Sequence, residues 1–211
     1  KLIYYFGKSK IKFAKYSISQ LHKESDLFFD WYLKFAIKNK NPKKIKKLLR
    51  HELNNIYKKI YFKNNYFTHR DFHASNIMIN NKKLGVIDSQ DAIIGNPLYD
   101  VASLIDDVRI KLPKNLQDNL FKYYMFKSNF KIKEKPNLKN DYDILSVQRN
   151  LKILGIFVRL YKRDQKPNYL KYLPYTWTII EKRMKNPIFN KLNMLFKKHL
   201  PLKKLRKLQK I

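Results

Sequence analysis

The chain has 211 residues, a mass of 25.7 kDa and a formal net charge of +31 at pH 7. This length fits one large domain or two small ones, and a hydrophobic fraction of 44% can bury a core, which argues against a wholly disordered chain. The absence of cysteine excludes disulfide bonds and thiolate chemistry. We find no signal peptide and no uncharged apolar run of transmembrane length, and we therefore expect a cytoplasmic protein.

The high positive charge raises the question of a nucleic-acid partner, because clustered Lys and Arg gain affinity by releasing phosphate counterions. Here the lysines are spread along the whole chain and accompany abundant Asn, Ile and Tyr, as an AT-rich genome would encode. A charge of compositional origin says little about partners. We expect no dedicated nucleic-acid partner.

The first 65 residues are predicted to be mainly helical. The opening "KLIYYFGKSK" is short and apolar and fits a strand or a connecting segment. A helix is expected from Ser17, with Ser19 as its cap, and Pro42 breaks the helical pattern. A second amphipathic helix is expected over residues 43–62.

The centre of the chain has a different pattern. "YFTH" and "NIMIN" read as short β segments, "NNKK" as a turn, and "LGVID" as a strand that ends on a carboxylate. Further helices are predicted to begin near Tyr99 and to cover 114–127, 141–163 and 174–184. Residues 189–211 form a basic amphipathic tail that follows a domain of residues 1–188. The expected fold class is α+β, mostly helical with a small central β hairpin.

The hairpin region concentrates residues with acidic and amide side chains. Asp71 lies in a loop after a β segment, Asn76 follows five positions later, and Asp88 ends the second hairpin strand. If the two strands pair, Asn76 and Asp88 lie close together beside Asp71. Amide and carboxylate oxygens are ligands suited to Mg²⁺, and a separate carboxylate can accept a proton from an attacking hydroxyl. The alternative is a set of turn and cap residues, which Asp and Asn also favour.

The spacing of these residues matches a known set. "HRDFHASN" fits the kinase catalytic loop H-R-D-x-x-x-x-N, and "VIDSQD" occupies the place of the metal-binding D-F-G segment. Together with "GNPLYD" these segments resemble the aminoglycoside phosphotransferase and choline kinase branch of the kinase-like fold. Within that branch, "QRNLKILGIFVRLYKRDQKPNYLKYLP" and "ESDLFFDWYL" are similar to the anomeric cell-wall sugar kinases, which act on N-acetylmuramate or N-acetylglucosamine. The resemblance extends over residues 18–173.

This resemblance implies a protein-kinase-like fold, with the chain as its mostly helical C-terminal lobe. It implies ATP and Mg²⁺ as cofactors and an amino sugar as the small-molecule substrate. Asp71 would be the catalytic base that accepts the proton of the anomeric hydroxyl. Asn76 and Asp88 would hold Mg²⁺ and thereby bind the ATP phosphates.

Other polar residues receive weaker assignments. The residues expected to face the sugar are Glu24, Asp30, Gln90 and Asp91. The residues expected to support the catalytic loop are His69, Arg70, His73 and Asp100. Asp106 and Asp107 are expected on a solvated helix face, and Arg149 and Arg159 are candidates for pairing with carboxylates near the site.

The resemblance also implies an N-terminal lobe that this sequence does not supply. The only glycine before the catalytic loop is Gly7, and no strand lysine of the V-A-I-K kind precedes the first helix. The sequence begins with Lys1, so we expect either the C-terminal part of a longer enzyme or a degenerate gene product. A second departure from the family is Ser89, where phenylalanine is usual.

Two alternatives to an amino-sugar kinase stay open at this point. One is a kinase for another hydroxyl substrate, such as an aminoglycoside, choline or homoserine. The other is a non-catalytic basic protein that binds RNA or anionic lipid on a remnant of the kinase fold.

Overall fold

A computed structural model describes residues 13–37, 41–61, 65–128, 130–131 and 134–201. The helices are α1 Ile18–Leu27, α2 Lys34–Ala36, α3 Pro42–Tyr57, α4 Leu98–Ile105, α5 Lys114–Lys127, α6 Lys135–Lys162, α7 Leu173–Arg183 and α8 Asn190–His199. The strands are β1 Tyr66–Thr68, β2 Ile77–Asn80, β3 Lys83–Val86 and β4 Ile93–Gly95. The prediction of a mostly helical chain with a small antiparallel hairpin is confirmed. Within these ranges, none of the helices combines the length and apolar character that a membrane crossing requires.

The first helix begins where the sequence indicated, but its cap is a different serine. The Ser17 hydroxyl accepts a hydrogen bond from the backbone N–H of Gln20 at 3.2 Å, so Ser17 and not Ser19 is the N-cap. Helix α1 continues into a π-helical segment, Phe28–Leu33, before α2. The second long helix ends at Tyr57, earlier than predicted, and the opening "KLIYYFGKSK" lies outside the described residues.

The longest helix, α6, packs against the junction of α1 with the π-helical segment. A Cβ atom placed on Gly155 would lie 2.3 Å from the backbone carbon and oxygen of Leu27 and 2.6 Å from the nitrogen of Phe28. Because those atoms are backbone, they cannot rotate out of the way. Only a residue without a side chain therefore fits at position 155, and Gly155 permits the close approach of the two helices.

An aromatic cluster from the π-helical segment, α7 and α8 lies within the core. Phe28 stacks on Tyr32 with ring centroids 5.3 Å apart, and Trp177 donates a hydrogen bond from Nε1 to the Tyr32 hydroxyl at 2.5 Å. Phe196 of α8 contacts the Trp177 ring at a centroid distance of 5.7 Å. The described part of the predicted basic tail therefore begins as a helix that covers the core.

Two short antiparallel sheets carry the central segment. Strands β2 and β3 pair from Ile77–Val86 to Asn80–Lys83, as the "NNKK" turn predicted. The turn residues Asn81 and Lys82 both have positive φ, 47° and 61°, which is the geometry of a tight two-residue hairpin turn. Strand β1 pairs with β4, which was not predicted because Ile93–Gly95 is too short to show a periodic pattern.

One prediction about α4 is wrong. Asp106 and Asp107, expected on a solvated face, are each only 1% exposed. Arg183 of α7 donates to both carboxylate oxygens of Asp106, from Nε at 2.9 Å and from Nη2 at 2.7 Å. The Ser146 hydroxyl also donates to Oδ2 of Asp106 at 2.6 Å. The bidentate ion pair and this hydrogen bond offset the cost of burying the charge of Asp106.

Candidate active site

The loop after β1 is held in an unusual backbone conformation by one carboxylate. Arg70 has a φ of 72°, in the left-handed region that non-glycine residues rarely adopt. Asp100, in the first turn of α4, accepts hydrogen bonds from the backbone N–H groups of His69 at 2.7 Å and Arg70 at 2.9 Å. Two charge-assisted hydrogen bonds offset the strain and fix the backbone that leads into Asp71.

The protonation state of Asp100 matters for this support. Burial raises the pKa of Asp100 to about 6, although the backbone N–H donors of His69 and Arg70 lower it. Asp100 is therefore ionised at neutral pH, when both of its oxygens can accept these hydrogen bonds.

The structure brings Asp71, Asn76 and Asp88 together. The Asn76 amide donates from Nδ2 to the backbone carbonyl of Asp71 at 3.0 Å, and the same nitrogen lies 3.5 Å from Oδ2 of Asp88. The hairpin produces this approach, because Ile77 pairs with Val86 and the Ile87 N–H donates to the Asn76 carbonyl at 3.0 Å. Asp88 lies two residues beyond the end of β3 rather than on it.

The segment that carries Asp88 is also fixed. Asp88 has a φ of 71°, a second left-handed residue at the same site. A ring nitrogen of His69 lies 3.0 Å from the Ile87 carbonyl, which links the loop before Asp71 to the segment before Asp88. Strained residues cluster where surrounding contacts hold them for function.

The donor set fits a magnesium ion that is held partly by phosphate and water. Because Nδ2 of Asn76 donates to the Asp71 carbonyl, Oδ1 would be the amide atom available to a cation that the Asp88 carboxylate also binds. No group of three or more His, Asp or Glu able to hold a metal occurs among the described residues. One carboxylate and one amide are what Mg²⁺ needs when the nucleotide supplies further oxygens.

A comparison with protein-family models identifies the family of this sequence. The model of the phosphotransferase enzyme family matches residues 16–130, more than half of the chain, and this range contains Asp71, Asn76 and Asp88. The chain belongs to the phosphotransferase enzyme family.

Curated relatives of this phosphotransferase have a common description. The chain is 29% identical over 170 residues to an N-acetylmuramate/N-acetylglucosamine kinase of Pseudomonas aeruginosa, an alignment that covers 79% of the chain and 50% of the relative. Kinases with the same description from Caulobacter vibrioides and Neisseria meningitidis serogroup B are each 28% identical, over 64% and 76% of the chain and 38% and 49% of the relatives. The chain thus spans half or less of the length of these relatives.

Glu24 was expected to face the sugar, but it lies in the interior of the protein. It is 4% exposed, and its Oε1 lies 2.5 Å from Nη2 of Arg70 and 3.4 Å from Nζ of Lys152. Its Oε2 accepts from the Tyr16 hydroxyl at 2.6 Å and from Nε2 of Gln148 at 3.0 Å. Burial raises the pKa of Glu24, but Lys152, the Tyr16 hydroxyl and Arg70 outweigh it and the pKa is lowered, which keeps the carboxylate ionised.

The other residues predicted to face the sugar are divided between two places. Asp30 lies on the π-helical segment, where Nζ of Lys46 in α3 is 2.9 Å from its Oδ1. Gln90 donates from Nε2 to Oδ1 of Asp88 at 2.5 Å, and the Asp91 carbonyl accepts from Nη1 of Arg70 at 3.1 Å. Gln90 and Asp91 therefore contact residues of the site, whereas Asp30 pairs with α3; their roles toward a sugar stay predictions.

Sequence reasoning missed the contribution of α6 to this site. Gln148 and Lys152, four positions apart, place polar side chains on the same face of α6, and both contact Glu24. The available signal was two polar residues four positions apart, Gln148 just before the apolar "LKILGIFVRLY" stretch and Lys152 within it.

Proposed function

We propose that this chain is the acceptor-binding and metal-binding part of an ATP-dependent small-molecule kinase. The observation that carries the proposal is the convergence of Asp71, Asn76 and Asp88 on one hairpin, with 3.0 Å and 3.5 Å separating the Asn76 amide nitrogen from the Asp71 carbonyl and the Asp88 carboxylate. Phosphoryl transfer requires a positioned proton acceptor and a cation site, and these three residues supply both.

In the proposed reaction, Asp71 accepts the proton of the acceptor hydroxyl. The hydroxyl oxygen forms a bond to the γ-phosphorus of ATP while the bond between that phosphorus and the β–γ bridging oxygen breaks, and ADP leaves. Asn76 and Asp88 would hold Mg²⁺, which neutralises negative charge on the phosphates when it is bound.

The acceptor that we favour is the anomeric hydroxyl of an amino sugar in cell-wall recycling. Support comes from three relatives described as N-acetylmuramate/N-acetylglucosamine kinases, which align with 64% to 79% of the chain. Family membership alone supports phosphotransfer and does not select the acceptor, because one fold hosts several substrates.

We also propose that a nucleotide-covering lobe packs against the hairpin. Two observations support this: the exposed apolar residues on β2 and β3, and the unaligned half or more of each relative. Ile79 is 76% exposed, Leu84 73% and Met78 52%, an unusual concentration for a two-stranded hairpin. This proposal predicts that the DNA upstream of the Lys1 codon continues the reading frame and encodes a glycine-rich loop and a strand lysine.

Product analysis tests the proposed reaction. The protein, with its N-terminal lobe if the reading frame supplies one, is incubated with ATP, Mg²⁺ and single acceptors, and products are identified by ³¹P NMR. We expect sugar 1-phosphates from N-acetylmuramate and N-acetylglucosamine. Phosphorylation of an aminoglycoside, choline or homoserine instead would support kinase activity but contradict an amino-sugar acceptor. If no acceptor yields a phosphorylated product, both the kinase activity and the sugar acceptor are contradicted.

A further inference from the structure

Two buried arginines of the chain have contrasting environments. Arg183 is 6% exposed and donates to both oxygens of Asp106. Arg149, in the middle of α6, is 4% exposed, and no carboxylate among the described residues forms an ion pair with it. Its Nη1 is buried and has no hydrogen-bond partner there. The positive charge of Arg149 helps to lower the pKa of Asp100, so that carboxylate lies within its electrostatic reach without forming a direct ion pair. A buried guanidinium nitrogen that lacks a hydrogen bond is costly, so a protein that retains one normally uses it.

The surroundings of Arg149 place it beside the catalytic loop. It is adjacent in sequence to Gln148, which donates to the Glu24 carboxylate, and lies three positions before Lys152, which contacts the same carboxylate. Burial lowers the pKa of His73, and the positive charges of Arg109 and Arg149 lower it further. His73 in turn donates its backbone N–H to the Asp71 carbonyl at 3.0 Å. Arg149 is therefore within electrostatic reach of the residue two positions beyond Asp71.

Two further polar atoms around His73 lack partners. Nδ1 of His73 and Oδ2 of Asp107 are buried without a hydrogen bond in the described part of the chain. Asp107 uses its other oxygen for the backbone N–H of Arg109 at 3.0 Å. Asp107 and Arg149 both act electrostatically on His73. Buried polar groups in folded proteins are nearly always hydrogen-bonded, so these three unsatisfied atoms are available to a bound polar molecule or to water.

We propose that Arg149 recognises an anionic group, specifically a carboxylate, on the acceptor whose hydroxyl faces Asp71. This inference rests on the proposed kinase function and adds the class of acceptor, a hydroxylated acid. A guanidinium matches a carboxylate with two parallel hydrogen bonds, and it does so best where water is excluded. His73 and Asp107 would satisfy their free atoms with hydroxyl or amide groups of the same molecule.

A pair of acceptors isolates this interaction. N-acetylmuramate and N-acetylglucosamine share the anomeric hydroxyl, but only N-acetylmuramate carries a carboxylate, on its lactyl ether. For Arg149→Gln we expect the KM for N-acetylmuramate to rise about 10- to 100-fold, as losing a hydrogen bond to a charged group predicts. The rise in KM for N-acetylglucosamine should be several-fold smaller, because this sugar has no carboxylate that Arg149 could bind.

Three controls make the result decisive. Arg149→Lys keeps the charge without the bidentate geometry and should restore part of the loss. Arg159→Gln removes an arginine ten positions further along α6, about 15 Å away, and should change neither KM. Melting temperatures show whether each variant is folded, and only folded variants enter the comparison.

Direct binding measurements separate failure of this inference from failure of the kinase proposal. Calorimetry without ATP should show tighter binding of N-acetylmuramate than of N-acetylglucosamine, with the difference abolished by Arg149→Gln. Equal losses for both sugars, or no loss for either, would overturn the role of Arg149 while leaving kinase activity intact. If neither sugar is phosphorylated but N-acetylmuramate still binds preferentially through Arg149, the result supports carboxylate binding by Arg149 and contradicts the proposed kinase reaction.

Discussion

Asp71→Asn is expected to reduce kcat about 100- to 10,000-fold, the range by which a positioned general base contributes to a reaction. Asparagine keeps the size of the side chain and cannot accept the proton of the acceptor hydroxyl. The backbone carbonyl of residue 71, which holds Asn76 at 3.0 Å, is unchanged by the substitution. Cation and nucleotide affinity should therefore be nearly preserved, and the loss should appear in single-turnover measurements of phosphoryl transfer.

The matched control for this variant is Asp118→Asn. Asp118 lies on α5, its side chain is 44% exposed, and its partner is Lys182 at 3.2 Å, so the same chemical change there should leave kcat unaltered. The experiment also separates a kinase from a basic binding protein. A protein that only binds RNA or anionic lipid would lose nothing at residue 71, and unchanged turnover in Asp71→Asn would remove that residue from the reaction.

Glu24→Gln is expected to destabilise the protein by about 3 kcal/mol and to lower kcat as well. The substitution keeps the shape but removes the negative charge that Arg70 and Lys152 share, and breaking one partner of a buried ion pair costs about 3–5 kcal/mol. Arg70 is the residue immediately before Asp71 and holds a strained φ of 72°. Releasing its guanidinium should let Asp71 adopt several positions. Urea unfolding and steady-state kinetics measure the two effects.

Asp26→Asn, on the same helix α1, is the control for the loss of stability in Glu24→Gln. Asp26 is a partly exposed carboxylate that pairs with Arg50 at 3.1 Å, and such surface pairs are worth less than about 1 kcal/mol. If Glu24 positions the catalytic loop, Glu24→Gln should lower kcat at a temperature well below the melting temperature of the variant. Arg70→Gln should lower kcat by a similar factor, and the double variant should lower it little further. A loss of stability with unchanged kcat would make Glu24 purely structural.

The sequence was informative where function depends on local spacing. Five positions separate Asp71 from Asn76, and twelve separate Asn76 from Asp88 across a hairpin whose turn could be recognised from "NNKK". Local geometry of this kind is set by turn chemistry and strand pairing, both of which leave a sequence pattern. The roles assigned to these residues stay predictions until the variants are measured.

The sequence was uninformative where a residue's environment depends on distant partners. Glu24 meets Arg70, 46 positions away, and Gln148, 124 positions away, so nothing local distinguishes it from a surface glutamate. Asp106 is buried only because Arg183, 77 positions later, neutralises it. A single sequence shows composition and periodicity, whereas the cost of burying a charge is decided by the partner that tertiary packing supplies.

The position of a divalent cation tests the central claim most directly. Crystals grown with ADP and Mn²⁺, a substitute for Mg²⁺ with strong anomalous scattering, should show a peak in contact with the Asp88 carboxylate and the Asn76 amide oxygen, and Asp88→Asn should abolish it. A cation bound to the nucleotide with neither of these residues as a ligand would contradict the account.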